Sequence, residues 1–343
     1  MITTASSDPK LFGYWAYLAI EKHFQRTVQY ETDVLKDKDP EALHQMRVGM
    51  RRLRTVVSGF APALVLPKAA REKKIAKVAR RLGQLRDLDI MQDALQNQYL
   101  PTLPNSEQKI GKKVLATLEK RRHQVLVQVQ KTLNGKPYQE MKLAFQDWLQ
   151  TPNYGTFAEF PIDQILPDLL LPFMSQFFLH PAWLMGVHLS DGQKQVAQDL
   201  SLEDVVELFS VQGSVLHSLR KQAKRVRYQM ELFTDFYDTP YQDYVKEIKS
   251  IQRILGQIQD SFVLAEFLSD CLNSEIKKKL PTLVEQLSGD RYQLWQEWRS
   301  LQERYLLPQT RKDLRLIVVH PVESGTHTSS VNIQDAQHAN LST

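Results

Sequence analysis

Two stretches of this chain, 173 residues apart, are variations on one pattern. LHQMRVGMRRLRTVVSGF (43–60) aligns with LHSLRKQAKRVRYQMELF (216–233), and LGQLRDLDIM (82–91) aligns with LGQIQDSFVL (255–264) at the same offset. Two matches with no net insertion between them point to two copies of one structural unit. Each copy is longer than a solenoid repeat, so each is expected to be a bundle in its own right.

The pattern inside the repeat is helical. Leu43, Met46, Met50, Leu53, Val57 and Phe60 are spaced 3, 4, 3, 4, 3, and their counterparts Leu216, Leu219, Ala223, Val226, Met230 and Phe233 are all apolar. That spacing is the seam of an amphipathic helix packed in a bundle. Bases keep the same rhythm one residue later: His44, Arg47, Arg51 and Arg54, then His217, Arg220, Lys224 and Arg227. One residue is about 100° around a helix, so this basic row flanks the seam; its ten residues span about 15 Å. Arg52 and Arg225 widen the row, and Lys221 stands beside it. On the following helix Lys73 and Arg80 share one face two turns apart, as do Lys246 and Arg253; Lys77 joins the first set, although its counterpart is Ser250.

The other elements are coarser. Leu11–Leu35, Ser106–Leu133 (N-cap Ser106), Tyr138–Leu149, Phe262–Lys279 and Thr282–Tyr305 read as helices, with Ser201 and Asp204 capping another. Only Leu314–Val319 shows strand-like alternation. The expected fold is all-α, two antiparallel helical bundles related by approximate two-fold symmetry. The N-terminal bundle takes residues 8–150, a Pro- and aromatic-rich connector 151–190, the C-terminal bundle 191–306, and a partly disordered tail 307–343. No signal peptide is expected, and the apolar window 165–187 is interrupted by Asp168, His180 and three prolines, against a membrane span. The lone Cys271 forbids an intrachain disulfide, fits a cytoplasmic location, and reads as a small buried apolar residue.

Charge is unevenly placed. From His44 to Leu82 there are eleven Lys or Arg residues and one acid, Glu72, while the whole chain carries only +5. Like charges on successive turns repel by a few tenths of a kcal/mol per pair. A solvated helix face is the bland explanation. Against it stand the row's place beside the seam and its recurrence in both copies. An anion site explains both: Arg presents a fork that fits phosphate oxygens, and Lys a mobile point charge. His44 and His217, among cations, are expected to be either neutral donors to phosphate oxygens or protonated only in the complex. Asp87 and Asp260, matched after the matched Leu-Gly, read as structural, and Gly83 and Gly256 as allowing close helix approach.

These residues resemble the conserved histidine α-helical domain (CHAD) family. Its pattern, H-x-x-R-V-x-x-R-R-L-R followed by L-G-x-x-R-D and repeated once, appears here as HQMRVGMRRLR with LGQLRD and HSLRKQAKRVRY with LGQIQD. The resemblance covers roughly residues 8–306. It implies two four-helix bundles around a central basic cavity, and non-enzymatic binding of inorganic polyphosphate, often at polyphosphate granules. It implies that His44, Arg47, Arg51, Arg52, Arg54, His217, Arg220, Lys224 and Arg227 line that cavity; the further lysines and arginines extend it by the repeat. Departures are Gly49 and Gly59 inside the first motif helix, Gln259 opposite Arg86, and Lys221-Gln222 in place of Val-Gly.

Three other classes compete. Phosphate hydrolysis needs acids holding a metal or an activated nucleophile, and the row has neither. A metal centre is disfavoured because each repeated histidine is ringed by cations with no second ligand at proper spacing, so no metal or cofactor is expected. Nucleic-acid backbone binding is the real alternative, since it uses the same phosphate contacts. Single-strand binders add stacking aromatics, and between His44 and Lys77 the one aromatic is Phe60, on the seam.

Overall fold

The computed structural model describes residues 7–190, 193–197 and 200–322, which form helices and one short hairpin. The first half holds α1 (Phe12–Gln29), α2 (Glu31–Lys36), α3 (Pro40–Gly59), α4 (Glu72–Asp93), α5 (Asn105–Leu133) and α6 (Lys136–Gln150). The second holds α7 (Ile162–Phe178), the hairpin β1 (Val187–Ser190) and β2 (Gln193–Val196), then α8 (Leu202–Leu232), α9 (Thr239–Cys271), α10 (Ile276–Lys279), α11 (Pro281–Leu306) and α12 (Pro308–Val318). In the first half α1 packs on α3, α3 on α4 and α4 on α5; in the second α7 packs on α8, α8 on α9 and α9 on α11. Among the described residues no helix is long and apolar enough to cross a membrane.

The motif helices form as their patterns require. Asp39 accepts the Glu41 N–H at 2.8 Å and Pro40 opens α3. Ser201 and Asp204 close a capping box on α8. All twelve seam positions are buried, none more than 6% exposed. The two glycines of α3 also gain a reason. A Cβ on Gly49 would lie 3.1 Å from the backbone N and 3.2 Å from the Cα of Thr27 in α1, and one on Gly59 would lie 2.7 Å from Oε1 of Gln229 in α8. At Gly49 the backbone of α1 leaves no room for a side chain, whereas at Gly59 the obstacle is the end of the flexible Gln229 side chain.

The two halves meet in two places. In the larger core Phe60 packs edge-on against its counterpart Phe233, ring centroids 5.3 Å apart, and Trp15 of α1 against Phe236 at 4.8 Å. A second cluster joins Leu88, Met91 and Leu118 to Leu264, Phe267 and Leu283. There Glu107 of α5 accepts the backbone N–H groups of Thr282 (3.2 Å) and Leu283 (3.3 Å), capping α11 from the other half. The basic rows lie on the stretches of α3 and α8 that precede the Phe60–Phe233 contact.

Several expected elements differ. Leu11–Leu35 is broken at Tyr30; just beyond the bend Glu31 accepts from Tyr138 Oη (3.0 Å) and Lys142 Nζ (2.7 Å) of α6. The helix begun by Ser106 starts instead at Asn105, after Pro104, without a side-chain cap. Phe262–Lys279 splits into the end of α9, a turn with Asn273 and Ser274 at positive φ, and α10. Leu314–Val319 is not a strand: Leu314 and Val318, one helical turn apart, are both buried in α12. The strands are 187–190 and 193–196, too short to announce themselves. α7, within the stretch 151–190, packs on α8 and α12, with Pro167 and Pro172 inside the helix. Cys271 is half-buried beside the second cluster. The tail beyond residue 322 lies outside the described residues.

Candidate functional site

The rows of α3 and α8 face one another. The Arg51 guanidinium lies 4.5 Å from the centre of the Tyr228 ring on α8, and Arg227 lies 4.9 Å from the same ring. Such cation–π contacts between partly desolvated groups are worth about 1–2 kcal/mol. Lys224 is crowded by Arg220 on its own helix and by Arg47 and Arg51 across the gap. Burial first, then those three cations, bring its pKa down to about 8. Burial, with Arg47, Arg227 and Arg52 nearby, likewise lowers the Arg51 pKa. His44, Arg47, Arg51, His217, Arg220, Lys224 and Arg227 are all half-buried, not solvated like an outer helix face.

Both histidines have a lowered pKa. Burial is the main cause for each; Arg86, Arg47 and Arg51 add to it for His44, and Lys221 and Arg220 for His217. Their Nδ1 atoms are buried with no hydrogen-bond partner among the described residues, as are the Nε atoms of Arg51, Arg86 and Arg220. Buried donors left this way in a native fold call for a ligand or water.

Acids beside the row are few and already engaged. Arg47 faces Asp87 at 3.9 Å and Arg220 faces Asp260 at 3.6 Å, the same pair in each half. Both contacts are long, and the carboxylates are 67% and 54% exposed, so each bridge is weak. Asp87 and Asp260 are near enough to repel each other. Arg227 is paired with Glu231 of its own helix at 2.9 Å. The matched glycines do face the row: a Cβ on Gly83 would meet Arg47 Nε at 3.8 Å, and one on Gly256 would meet Arg220 Nε at 3.4 Å.

The remaining expected residues sit differently. Arg52 is exposed and close to the buried His23 of α1, whose pKa falls to about 3 through burial first and Arg52 next. Arg54 is exposed and paired with Glu72. Lys221 and Arg225 are exposed. Lys73, Lys77 and Arg80 are exposed on α4, on the line that leads to Asp87. Lys246 is taken by Asp243 at 2.8 Å and Arg253 by Glu297 at 2.7 Å. Three partners of the row were not anticipated as such: Arg86, Tyr228 and Gln259, which shares a side-chain hydrogen bond with His217. Arg86 was visible inside the LGQLRD motif, and Tyr228 directly follows Arg227.

No curated protein matches the chain. Among solved structures it is similar to the crystal structure of the CHAD domain from the plant Ricinus communis, at 20% identity and a TM-score of 0.49, over 89% of this chain and 90% of that one. The family model of the CHAD domain matches residues 18–269. That stretch holds both motif pairs, with α3, α4, α8 and all but the last two residues of α9, and the chain belongs to the CHAD domain family.

Proposed function

We propose that this chain binds inorganic polyphosphate in the cleft between α3 and α8, without chemistry on it. The observation that carries the reading is Lys224: an amine crowded by three guanidinium groups from both halves, with no close acid of its own except Asp260. A fold that gathers cations this way pays in repulsion and desolvation, and a multivalent anion recovers that cost. Charge-assisted hydrogen bonds from Arg to phosphate contribute roughly 1.5–3 kcal/mol each. Arg51, Arg86 and Arg220 offer buried Nε donors for them.

Asp87 and Asp260 already face arginines, which suits holding the row apart more than activating water. The reading is therefore of binding, with association to polyphosphate granules as its cellular form. Nucleic acid remains the competitor. Tyr228 supplies an aromatic in the cleft, but Arg51 and Arg227 already lie against its ring, which disfavours base stacking.

The test is competition of polyphosphate against single-stranded DNA and RNA at matched salt, with the variant Arg47→Gln/Arg51→Gln/Arg220→Gln/Lys224→Gln alongside. Polyphosphate should win, with a log–log salt slope of about −4 for six neutralised cations at roughly 0.7 each. The variant should keep its helical spectrum and lose affinity by about a thousandfold or more. Equal affinity for all three polymers, an unaffected variant, or release of phosphate with a divalent metal would overturn the reading.

A further inference from the structure

The basic rows of the two halves face one another, but the surfaces beside them differ in charge. Residues 68–81, leading into and along α4, carry seven Lys or Arg and one acid; the matched residues 241–254 on α9 carry three and two. The one acid of the first set, Glu72, is paired with Arg54 of α3, so it subtracts nothing from the lysines beside it. In the second set the acids are set against the bases. Lys246 pairs with Asp243, Arg253 with Glu297 of α11, and Glu247 with Arg304.

Lys73, Lys77 and Arg80 are exposed and make no ion pair among the described residues. They are also aligned with the cleft. Lys73, Arg80 and Asp87 are seven residues apart, two turns each, so they lie on nearly one line of α4. Asp87 meets Arg47, and a Cβ on Gly83, one turn earlier, would lie 3.8 Å from Nε of the same side chain. The face of α4 that closes the cleft is thus continuous with the face bearing Arg80, Lys77 and Lys73. From Lys73 to Asp87 this line runs about 21 Å. On α9 the matched line, Lys246 and Arg253 to Asp260, starts from neutralised groups.

We infer that a polyphosphate chain longer than the cleft leaves it on one side only, along Lys73, Lys77 and Arg80 of the first half. This rests on the reading of the cleft as a polyphosphate site and adds a direction to it. Linear polyphosphate has one charge on every interior unit, and an open row of cations holds it by released counterions without needing pockets. The second half offers no such row, because its local charge is balanced. The internal repeat therefore makes one cleft with one exit, and long chains should gain affinity over short ones through α4 alone.

The experiment compares tripolyphosphate with long-chain polyphosphate on the full chain. The variants are Lys73→Gln/Lys77→Gln/Arg80→Gln and the matched Lys246→Gln/Lys249→Gln/Arg253→Gln; all six are exposed, and a helical spectrum confirms folding of each. The first variant should lose on the order of tenfold in affinity for the long chain, with a salt slope shallower by about 2, and bind tripolyphosphate as the parent does. The second should bind both within about twofold of the parent. Equal losses in the two variants would make the exit symmetric and overturn the inference; so would no loss in the first, or an equal loss for tripolyphosphate. If the parent itself binds neither probe, the cleft reading fails, which is a separate result.

Discussion

Lys224 is the residue whose ionisation should report the ligand. Without one, burial and Arg220, Arg47 and Arg51 depress its pKa to about 8. A bound polyanion favours the ammonium and raises the pKa toward the ordinary lysine range. Binding therefore takes up a proton wherever the free lysine is neutral. The contribution of Lys224 should be full below pH 8 and fall as pH rises through 8 toward the bound-state pKa, by at most tenfold per unit for one proton. Lys224→Arg should remove that step while keeping binding, because guanidinium stays charged. Titration calorimetry from pH 7 to 10 checks this; a flat profile in the parent, or a step surviving in the variant, would contradict it. The sequence marked Lys224 as one base in a row of four, and the row was legible from period alone. Its crowding was not, because Arg47 and Arg51 arrive from a helix more than 170 residues away in the chain. The same limit explains Arg52 and Arg54. Period places Arg54 in the row and Arg52 beside it, but Arg52 lies by His23 and Arg54 is held by Glu72, contacts that depend on how α1 and α4 pack.

At the scale of the element, α3 was legible from its apolar spacing alone; the Asp39 cap and Pro40 at its start were found in the structure. Its glycines read as weaknesses in a helix, each costing roughly 1 kcal/mol relative to alanine. In the structure the α1 backbone lies against Gly49, while Gly59 is met by the side-chain ends of Gln229 and Leu232 of α8. Gly49→Ala gains that propensity but drives a methyl against the Thr27 backbone, which cannot swing aside as a side chain can. The net expected effect is a loss of about 1–3 kcal/mol, read as a lower midpoint in urea or heat. A midpoint equal to the parent's or higher would mean that α1 and α3 have room to part. The elements that period misread are the short ones. β1 and β2 hold four residues each, and α12 shows strand-like alternation while burying Leu314 and Val318 at helical spacing.

For the whole molecule, duplication was the most legible feature, because two motif pairs at one offset leave little freedom in the order of helices. What the repeat does not announce is how the copies are joined. A core through Phe60 and Phe233, and a second through Leu88, Met91, Leu264 and Phe267, tie them at two places, and Glu107 of one half caps α11 of the other. These ties leave the basic rows of α3 and α8 facing one another, so on the proposed reading the halves should bind a short polyanion together and not separately. Calorimetric titration with tripolyphosphate of the parent, Arg47→Gln/Arg51→Gln and Arg220→Gln/Lys224→Gln tests this directly. One ligand per chain is expected in the parent, with either pair of substitutions lowering affinity by roughly a hundredfold at the same stoichiometry. Two ligands per parent chain, falling to one of undiminished affinity in each variant, would show that each half carries its own site.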